Sequence, residues 1–230
     1  MTRLYDRACD LIRSVYQKRI ESPPILNPKV YFPNAPKFAE RWMAIRDEAL
    51  AIAQQLEAVP RFEQVMPEQA PLSSHDRRDW RVFIVKAYGI VIAQNMARCP
   101  ALAALLGDAP EVLSATLSFL APRKHIPRHQ GPFRGVLRFQ LGLAMPRTED
   151  GRPAAVLTIE DTDFRIADGE WLLWDDTYPH EVRNGSDEVR VALLLDVWRR
   201  GMSVDMECLS RLVLGVVRVG MRYRGISFGN

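Results

Sequence analysis

The sequence predicts an α+β chain with a mainly β core, and three observations carry that expectation. Apolar residues recur at helical spacing mostly ahead of residue 112. From there on, short runs rich in Val, Leu, Ile and Thr follow one another at close intervals. Turn clusters containing Gly, Pro, Asn and Asp separate those runs with no helical pattern between them, which argues a sandwich or barrel rather than βαβ units.

In the lead, Leu4, Ala8, Leu11, Ile12 and Val15 fall at helical spacing, and "SPP" and "NPK" end that segment. A second helix is expected from about Pro36, a first-turn proline, through Phe38, Trp42, Ile45, Ala49, Ile52 and Leu56, with Pro60 as its stop. "PEQAPLSSHDRRD" reads as a surface loop with a solvated His75. "WRVFIVKAYG" reads as a strand, and "IVIAQNMARCPALAALLG" as a helix interrupted at Pro100. The β-rich part holds "VLSATLSFL", "GVLRFQLGLAM", "AVLTIEDTDFRI", "EWLLWDD", "HEVRNG" and "VRVALLLDVW", with turns at "EDGRP", "ADGE" and "NGSDE". One unit is expected: a helical lead over 1–111, a β core over 112–200 and a short C-terminal helical segment over 201–230.

Composition bounds the function. A chain of 230 residues, 47% hydrophobic and 26% charged, is long enough for a substantial globular core. A net charge of +3, spread along the chain, argues against nucleic acid as a partner. Cys9, Cys99 and Cys208 lack metal-ligand spacing and suggest buried thiols in a reducing compartment. "MTRLYDRACDLIRSVYQKR" is charged throughout and lacks a signal-peptide core, which points to the cytoplasm.

"LVLGVVRVGMRYRG" is interrupted or flanked by Arg211, Arg218, Arg222 and Arg224, and its apolar run falls far short of the roughly 20 residues of a spanning helix. Two readings of it remain. It could lie on an anionic lipid surface, leaving the protein peripheral to the inner membrane. Alternatively its Leu and Val residues dock onto the domain, a reading favoured because Gly215 and Gly220 weaken a free-standing helix.

Two stretches point to chemistry: "HIPRHQGPF", with His129, and "WDDTYPHEVRNG", with His180. Imidazole is a common ligand of first-row metals, and non-haem iron oxygenases use two histidines and one carboxylate on one face of the iron. The carboxylate normally stands two residues after the first histidine, where this chain has Gly131. Two histidines alone would read as ordinary structural residues. Arg190 shifts the balance: it lies ten residues after His180 inside an apolar strand, where a guanidinium needs a buried anion or a path to water. A bound dicarboxylate would supply that anion through paired hydrogen bonds, with Arg138 as a second cation.

"HIPRHQGPFRGVLRFQLGL" together with "WLLWDDTYPHEVRNGSDEVRVALLLDVW" resembles the aspartyl/asparaginyl β-hydroxylase family of Fe(II)- and 2-oxoglutarate-dependent dioxygenases, most clearly over residues 112–200. "FPNAPKFAERW" and "MRYRGISFGN" are similar to the bacterial branch that includes lipid A acyl-chain hydroxylases. The resemblance implies a double-stranded β-helix (jelly roll, cupin-like) with N-terminal helices, and an iron held by His129 and His180 with glycine at the missing carboxylate. It also implies that Arg190 and Ser118 bind the distal carboxylate of 2-oxoglutarate, while Arg138 lies near the carboxylate that chelates the metal. The resemblance further implies O2 as the co-oxidant and hydroxylation of an unactivated C–H bond as the outcome.

Two departures bear on this. Gln140 stands where relatives commonly have histidine, so an uncharged amide replaces a titratable ring beside the cosubstrate. Val136 stands where peptide-hydroxylating relatives tend to have arginine, which tilts the expected substrate toward a lipid acyl chain of lipid A or ornithine-lipid type. Asp176, four residues before His180, is a candidate for orienting a metal-bound water, or a turn-capping residue. His125 is expected to point away from the metal as a possible substrate-side group, and Trp171, Trp174 and Trp198 to serve as core or pocket wall. Other readings are β-hydroxylation of an aspartyl or asparaginyl unit in a peptide, free amino acid or biosynthetic intermediate, and a non-catalytic cupin-like protein that binds metal or ligand.

Overall fold

Antiparallel pairing of ten strands builds two facing sheets in the computed structural model, which describes residues 2–223, with side chains from Asp6 to Met221. The strands are β1 (Trp80–Ala87), β2 (Ile90–Val91), β3 (Val112–Leu120), β4 (His125–His129), β5 (Val136–Ala144), β6 (Ala155–Ile159), β7 (Thr162–Phe164), β8 (Trp171–Trp174), β9 (His180–Asn184) and β10 (Arg190–Trp198). The larger sheet runs β2-β1-β3-β10-β5-β8 and the smaller β4-β9-β6-β7. This is the double-stranded β-helix that the resemblance implied. β1 comes from the lead segment yet sits inside the larger sheet, paired with β3 from Trp80↔Leu120 onward.

Nine α-helices accompany the sheets among the described residues: α1 (Thr2–Arg19), α2 (Pro28–Tyr31), α3 (Ala35–Glu40), α4 (Trp42–Ala53), α5 (Phe62–Val65), α6 (Pro71–Ser74), α7 (Ala93–Ala97), α8 (Pro100–Gly107) and α9 (Val204–Tyr223). The expected single helix from Pro36 is two, because the backbone leaves helical geometry at Arg41 (φ −103°, ψ 14°). Phe38 and Ile45, on either side of the break, enter the same core. "PEQAPLSSHDRRD" is not all loop. Pro67 and Pro71 each start a single helical turn, as proline's fixed φ favours, and Ser73 is buried. "AVLTIEDTDFRI" is a hairpin rather than one strand, since Ile159 pairs with Thr162 across a turn in which Glu160 takes φ 54°.

The period-two alternation of strands decides what each face of the larger sheet does. Leu137, Phe139, Leu141, Val191, Leu193, Leu195 and Val197 form one face and pack on Phe32, Phe38, Ile45, Ala49 and Ile52 from the helices. The residues between them, Arg138, Gln140, Arg190 and Asp196, face the other way, into the space between the sheets.

The C-terminal helix is longer than a short segment. α9 runs for 20 residues straight through Gly215 and Gly220, where an added Cβ would meet nothing within 4 Å. Its stability comes from docking, not propensity. Met206 and Leu214 join Tyr16, Phe133 and Val136 in a closed cluster, and the Tyr16 hydroxyl meets Ser210 Oγ at 2.6 Å. The docked reading therefore holds for this face; Arg224 lies outside the described residues, as does the side chain of Arg222. Of the cysteines only Cys99 is buried, while Cys208 is exposed on α9. No helix among the described residues is long and apolar enough to cross a membrane.

Candidate metal centre

His129 and His180 are cross-strand partners in the β4–β9 pair, and their ring centroids lie 4.0 Å apart with planes inclined at 55°. The same local contact fixes both rings. Nδ1 of His129 lies 2.8 Å from the carbonyl oxygen of Pro127, and Nδ1 of His180 lies 2.8 Å from that of Tyr178. A carbonyl only accepts, so each Nδ1 must carry the hydrogen and each Nε2 presents a free lone pair. Desolvation holds the His129 pKa below its ordinary value, helped by the Arg138 charge. His180 is held well below its ordinary value by desolvation and then by His129. Both rings are thus kept in the neutral form that ligates metals.

Gly131 explains where the expected carboxylate went. Its N–H donates to the backbone oxygen of Asp176 at 2.6 Å. A Cβ built on Gly131 would lie only 2.2 Å from Oδ1 of Asp176, so the Asp176 carboxylate stands where a side chain at 131 would have to be. Asp176 is buried, its Oδ1 has no hydrogen-bond partner, and its Oδ2 lies 3.3 Å from Nη2 of Arg138. Burial pushes its pKa up to about 7, with Asp196 and Asp175 adding to the rise and Arg138 opposing it. Arg138 is held on its other side by an ion pair with Asp196, Nε to Oδ1 at 2.9 Å.

Along the same inward face, Arg190 is 3% exposed and its Nε has no partner. Burial alone pulls its pKa down to about 10, with no carboxylate among the described residues to compensate it. Ser118 shares that face, since Arg190 pairs with Leu120 and Ala192 with Ser118, and its Oγ accepts from Trp80 Nε1 at 3.0 Å. Gln140, also buried, lies opposite Leu194 and next along β5 from Arg138. The donor chemistry fits a cation with two nitrogen ligands and an anion deep between the sheets. Among the described residues, no three His, Cys, Asp or Glu side chains come together as a ligand set.

Residues 39–200 match the sequence profile of the family described as Aspartyl/Asparaginyl beta-hydroxylase. The chain belongs to the aspartyl/asparaginyl β-hydroxylase family. It is 32% identical over 174 residues to an ornithine lipid ester-linked acyl 2-hydroxylase of Rhizobium tropici, covering 74% of this chain and 60% of that protein. It is 26% identical over 194 residues to the human aspartyl/asparaginyl beta-hydroxylase, covering 81% of this chain but 24% of the human one. The chain thus spans less than two thirds of the length of either relative. A crystal structure of a Pseudomonas putida prolyl-4-hydroxylase overlaps 70% of this chain and 88% of its own at a TM-score of 0.46 and 13% identity.

Other residues of this family member fall around the site as follows. His125 turns away from the histidine pair and meets Glu181 Oε2 at 2.6 Å. Trp174 stands edge-on to His180 at 4.6 Å, Trp171 packs against Phe139, and Trp198 lies under Arg211. Val136 is buried against Tyr16 and Met206 rather than exposed to a polar cleft.

Sequence reasoning missed three features. Asp196 clamps Arg138, and a charge inside "LLLDVW" was the same signal that singled out Arg190. Asp175 is fully buried and neutralised by Arg199 at 2.7 Å and Arg134 at 3.3 Å, a structural cluster with no sequence spacing to announce it. Arg13 of α1 donates from Nε to the Gly131 carbonyl oxygen at 3.0 Å across 118 residues.

Proposed function

We propose that this chain is an Fe(II)- and 2-oxoglutarate-dependent dioxygenase that hydroxylates an unactivated C–H bond on a lipid acyl chain. The observation that carries this reading is the pairing, between the same two sheets, of two free Nε2 atoms with a buried guanidinium that has no anion among the described residues. His129 and His180 would hold the iron. Arg190 and Ser118 would receive the distal carboxylate of 2-oxoglutarate, and Arg138 with Gln140 the end nearer the metal. Bound there with O2, these groups supply the oxidising power to insert one oxygen atom into C–H while 2-oxoglutarate leaves as succinate and CO2.

The chain's own residues do the positioning. Asp176 Oδ1, buried and unpartnered, is placed to accept a hydrogen bond from water on the metal, in the space that a ligand at position 131 would otherwise take. Arg138, held between Asp176 and Asp196, keeps its guanidinium fixed before any cosubstrate arrives. Trp174 with Leu157, Ile159, Leu172 and Val182 forms an apolar wall beside His180 that excludes water and suits a hydrocarbon chain. The packing of Val136, which removes a cation an acidic substrate would use, and the acyl 2-hydroxylase name of the Rhizobium relative both support the lipid substrate. Such an enzyme would work from the cytoplasmic side, peripheral to the inner membrane.

Anaerobic titration of the Fe(II) protein with 2-oxoglutarate, followed by succinate assay and mass spectrometry of candidate lipids and peptides, tests the reading. Arg190→Ala should keep the iron and lose cosubstrate affinity by roughly a hundredfold or more, as for a buried ion pair stripped of one partner. Equal affinity in that variant would refute its role. A loaded iron site that never yields succinate with lipid or peptide would favour a non-catalytic binding protein, and an oxygen gained on a peptide aspartyl unit would favour the peptide substrate.

A further inference from the structure

Two loops flank the histidine pair: residues 130–135 follow His129 at the end of β4, and residues 175–179 precede His180 at the start of β9. Both loops lean on one stretch of the lead, residues 13–26. At the first loop, Arg13 Nε donates to the Gly131 carbonyl oxygen at 3.0 Å, and Arg134 Nη1 donates to that of Ile20 at 2.9 Å. At the second, the Asp175 N–H donates to the carbonyl oxygen of Pro24 at 2.9 Å, and the Tyr178 hydroxyl donates to that of Ser22. The family match begins at residue 39, so this brace lies ahead of it.

Arg13 is the part of the brace that acts on Gly131. A glycine backbone turns through a wider range than that of any other residue, so hydrogen bonds at its two peptide groups have to fix it. The Gly131 N–H donates to the Asp176 backbone oxygen at 2.6 Å, and its C=O accepts from Arg13. Together the two bonds hold open the volume beside the Gly131 Cα that the Asp176 carboxylate fills. Arg13 is itself held in place. Its side chain is 15% exposed, and Nη1 donates to Asp10 Oδ1 at 2.8 Å, one turn earlier on α1. Its charge reaches Asp176 as well: burial pushes the Asp176 pKa up, and the positive charges of Arg138 and Arg13 draw it back.

We infer that Arg13 is a positioning residue of the metal centre: through the Gly131 carbonyl it holds the loop after His129 so that the Asp176 carboxylate keeps its place beside the histidine pair. This inference rests on the metal-binding reading above and gives a task in it to α1, a helix that supplies neither histidine. Arg13 acts through a backbone carbonyl and not through a ligand atom, so its loss should weaken the hold on iron without undoing the fold.

Calorimetric titration of the metal-free full chain with Fe(II) under argon tests it, together with amide hydrogen exchange over residues 130–135 in the metal-free state. The proteins compared are wild type, Arg13→Met and a control, Tyr16→Phe, which loosens α1 at its hydrogen bond to Ser210 and leaves the Gly131 contact alone. Arg13→Met should bind Fe(II) roughly ten- to a hundredfold more weakly than wild type, as is usual when an outer contact of a metal site is removed. Its Gly131 amide should exchange faster, because the local opening becomes easier. Tyr16→Phe should match wild type in both readouts. Wild-type iron affinity or unchanged Gly131 exchange in Arg13→Met overturns the inference. Equal weakening by Tyr16→Phe overturns it too, by reducing Arg13 to one of the contacts that dock α1. A wild-type chain that binds no Fe(II) instead removes the histidine pair as ligands, so failure of the positioning role and failure of the metal reading are told apart.

Discussion

The two faces of the larger sheet are made by alternate residues of the same strands, yet they do opposite things. On β10, Val191, Leu193, Leu195 and Val197 go to the helices and none carries a polar atom in its side chain. One step along the chain, Arg190 and Asp196 go to the space between the sheets. The apolar face is complete in itself. The charged face is not: Asp196 and Arg138 compensate each other, while Arg190 Nε and Asp176 Oδ1 are buried with no partner among the described residues. Buried polar groups are usually satisfied, so these two atoms, on one face and near the histidine pair, are open to a partner from outside the chain. The helix-packed face sets whether the chain folds, and the face between the sheets sets what it can bind.

That contrast can be broken or sharpened by experiment. The largest effect is expected from Phe139→Ala, which empties a site packed on Phe32 and Phe38 and should cost roughly 3–5 kcal/mol in urea denaturation. The opposite sign is expected across the sheet. Arg190→Leu removes an unpaired buried charge and should leave the metal-free protein as stable or more stable by roughly 1–4 kcal/mol, while 2-oxoglutarate binding disappears. A marked fall in melting temperature for that variant would mean that the guanidinium has a structural anion after all, and the distinction between the faces would fail.

A pH-dependent effect belongs to Asp176. Its folded pKa is about 7, above the ordinary carboxylate value, so the unfolded chain gives up this proton first as pH rises. Asp176 should therefore cost the metal-free protein stability increasingly between about pH 4 and pH 7, with no further change above that window. Asp176→Asn should match wild type near pH 4 and exceed it by about 4 kcal/mol at pH 8, measured by denaturant melts at both. An unchanged gap would place the carboxylate in water. The smallest effect is expected from Gln140→Met, a near volume-conserving change, at less than about 1 kcal/mol in stability with a few-fold change in cosubstrate affinity.

Much of this organisation was legible because strands advertise themselves by alternation. "VLSATLSFL" and "VRVALLLDVW" coincide with β3 and β10, and Arg190 stood out because it interrupts the second of them. β4 was harder to see as a strand. "HIPRH" is polar, carries a proline and forms an edge of the smaller sheet, where a missing N–H costs no ladder bond. α9 looked too rich in glycine to be long, since helix propensity counts only the chain itself and leaves out the cluster of Tyr16, Phe133 and Leu214 that holds it down. Of the candidate residues, the histidine pair met as partners through strand register, which spacing in sequence cannot set when 51 residues separate them. The contacts of Asp176 with Gly131 and of Arg13 with the Gly131 carbonyl join distant segments, and no local pattern encodes them.

Gly131 and Asp176 share one small volume, and that has a bearing on how such a site can change. Even alanine at 131 would collide with the carboxylate, so adding a second carboxylate beside the histidine pair by Gly131→Asp alone should give a crowded, doubly anionic pocket. The route between the two arrangements runs through a paired exchange, Gly131→Asp with Asp176→Gly, in which the negative charge moves from the loop before β9 to the loop after β4. Crowding blocks that exchange when it starts at position 131, so the carboxylate at 176 has to leave first.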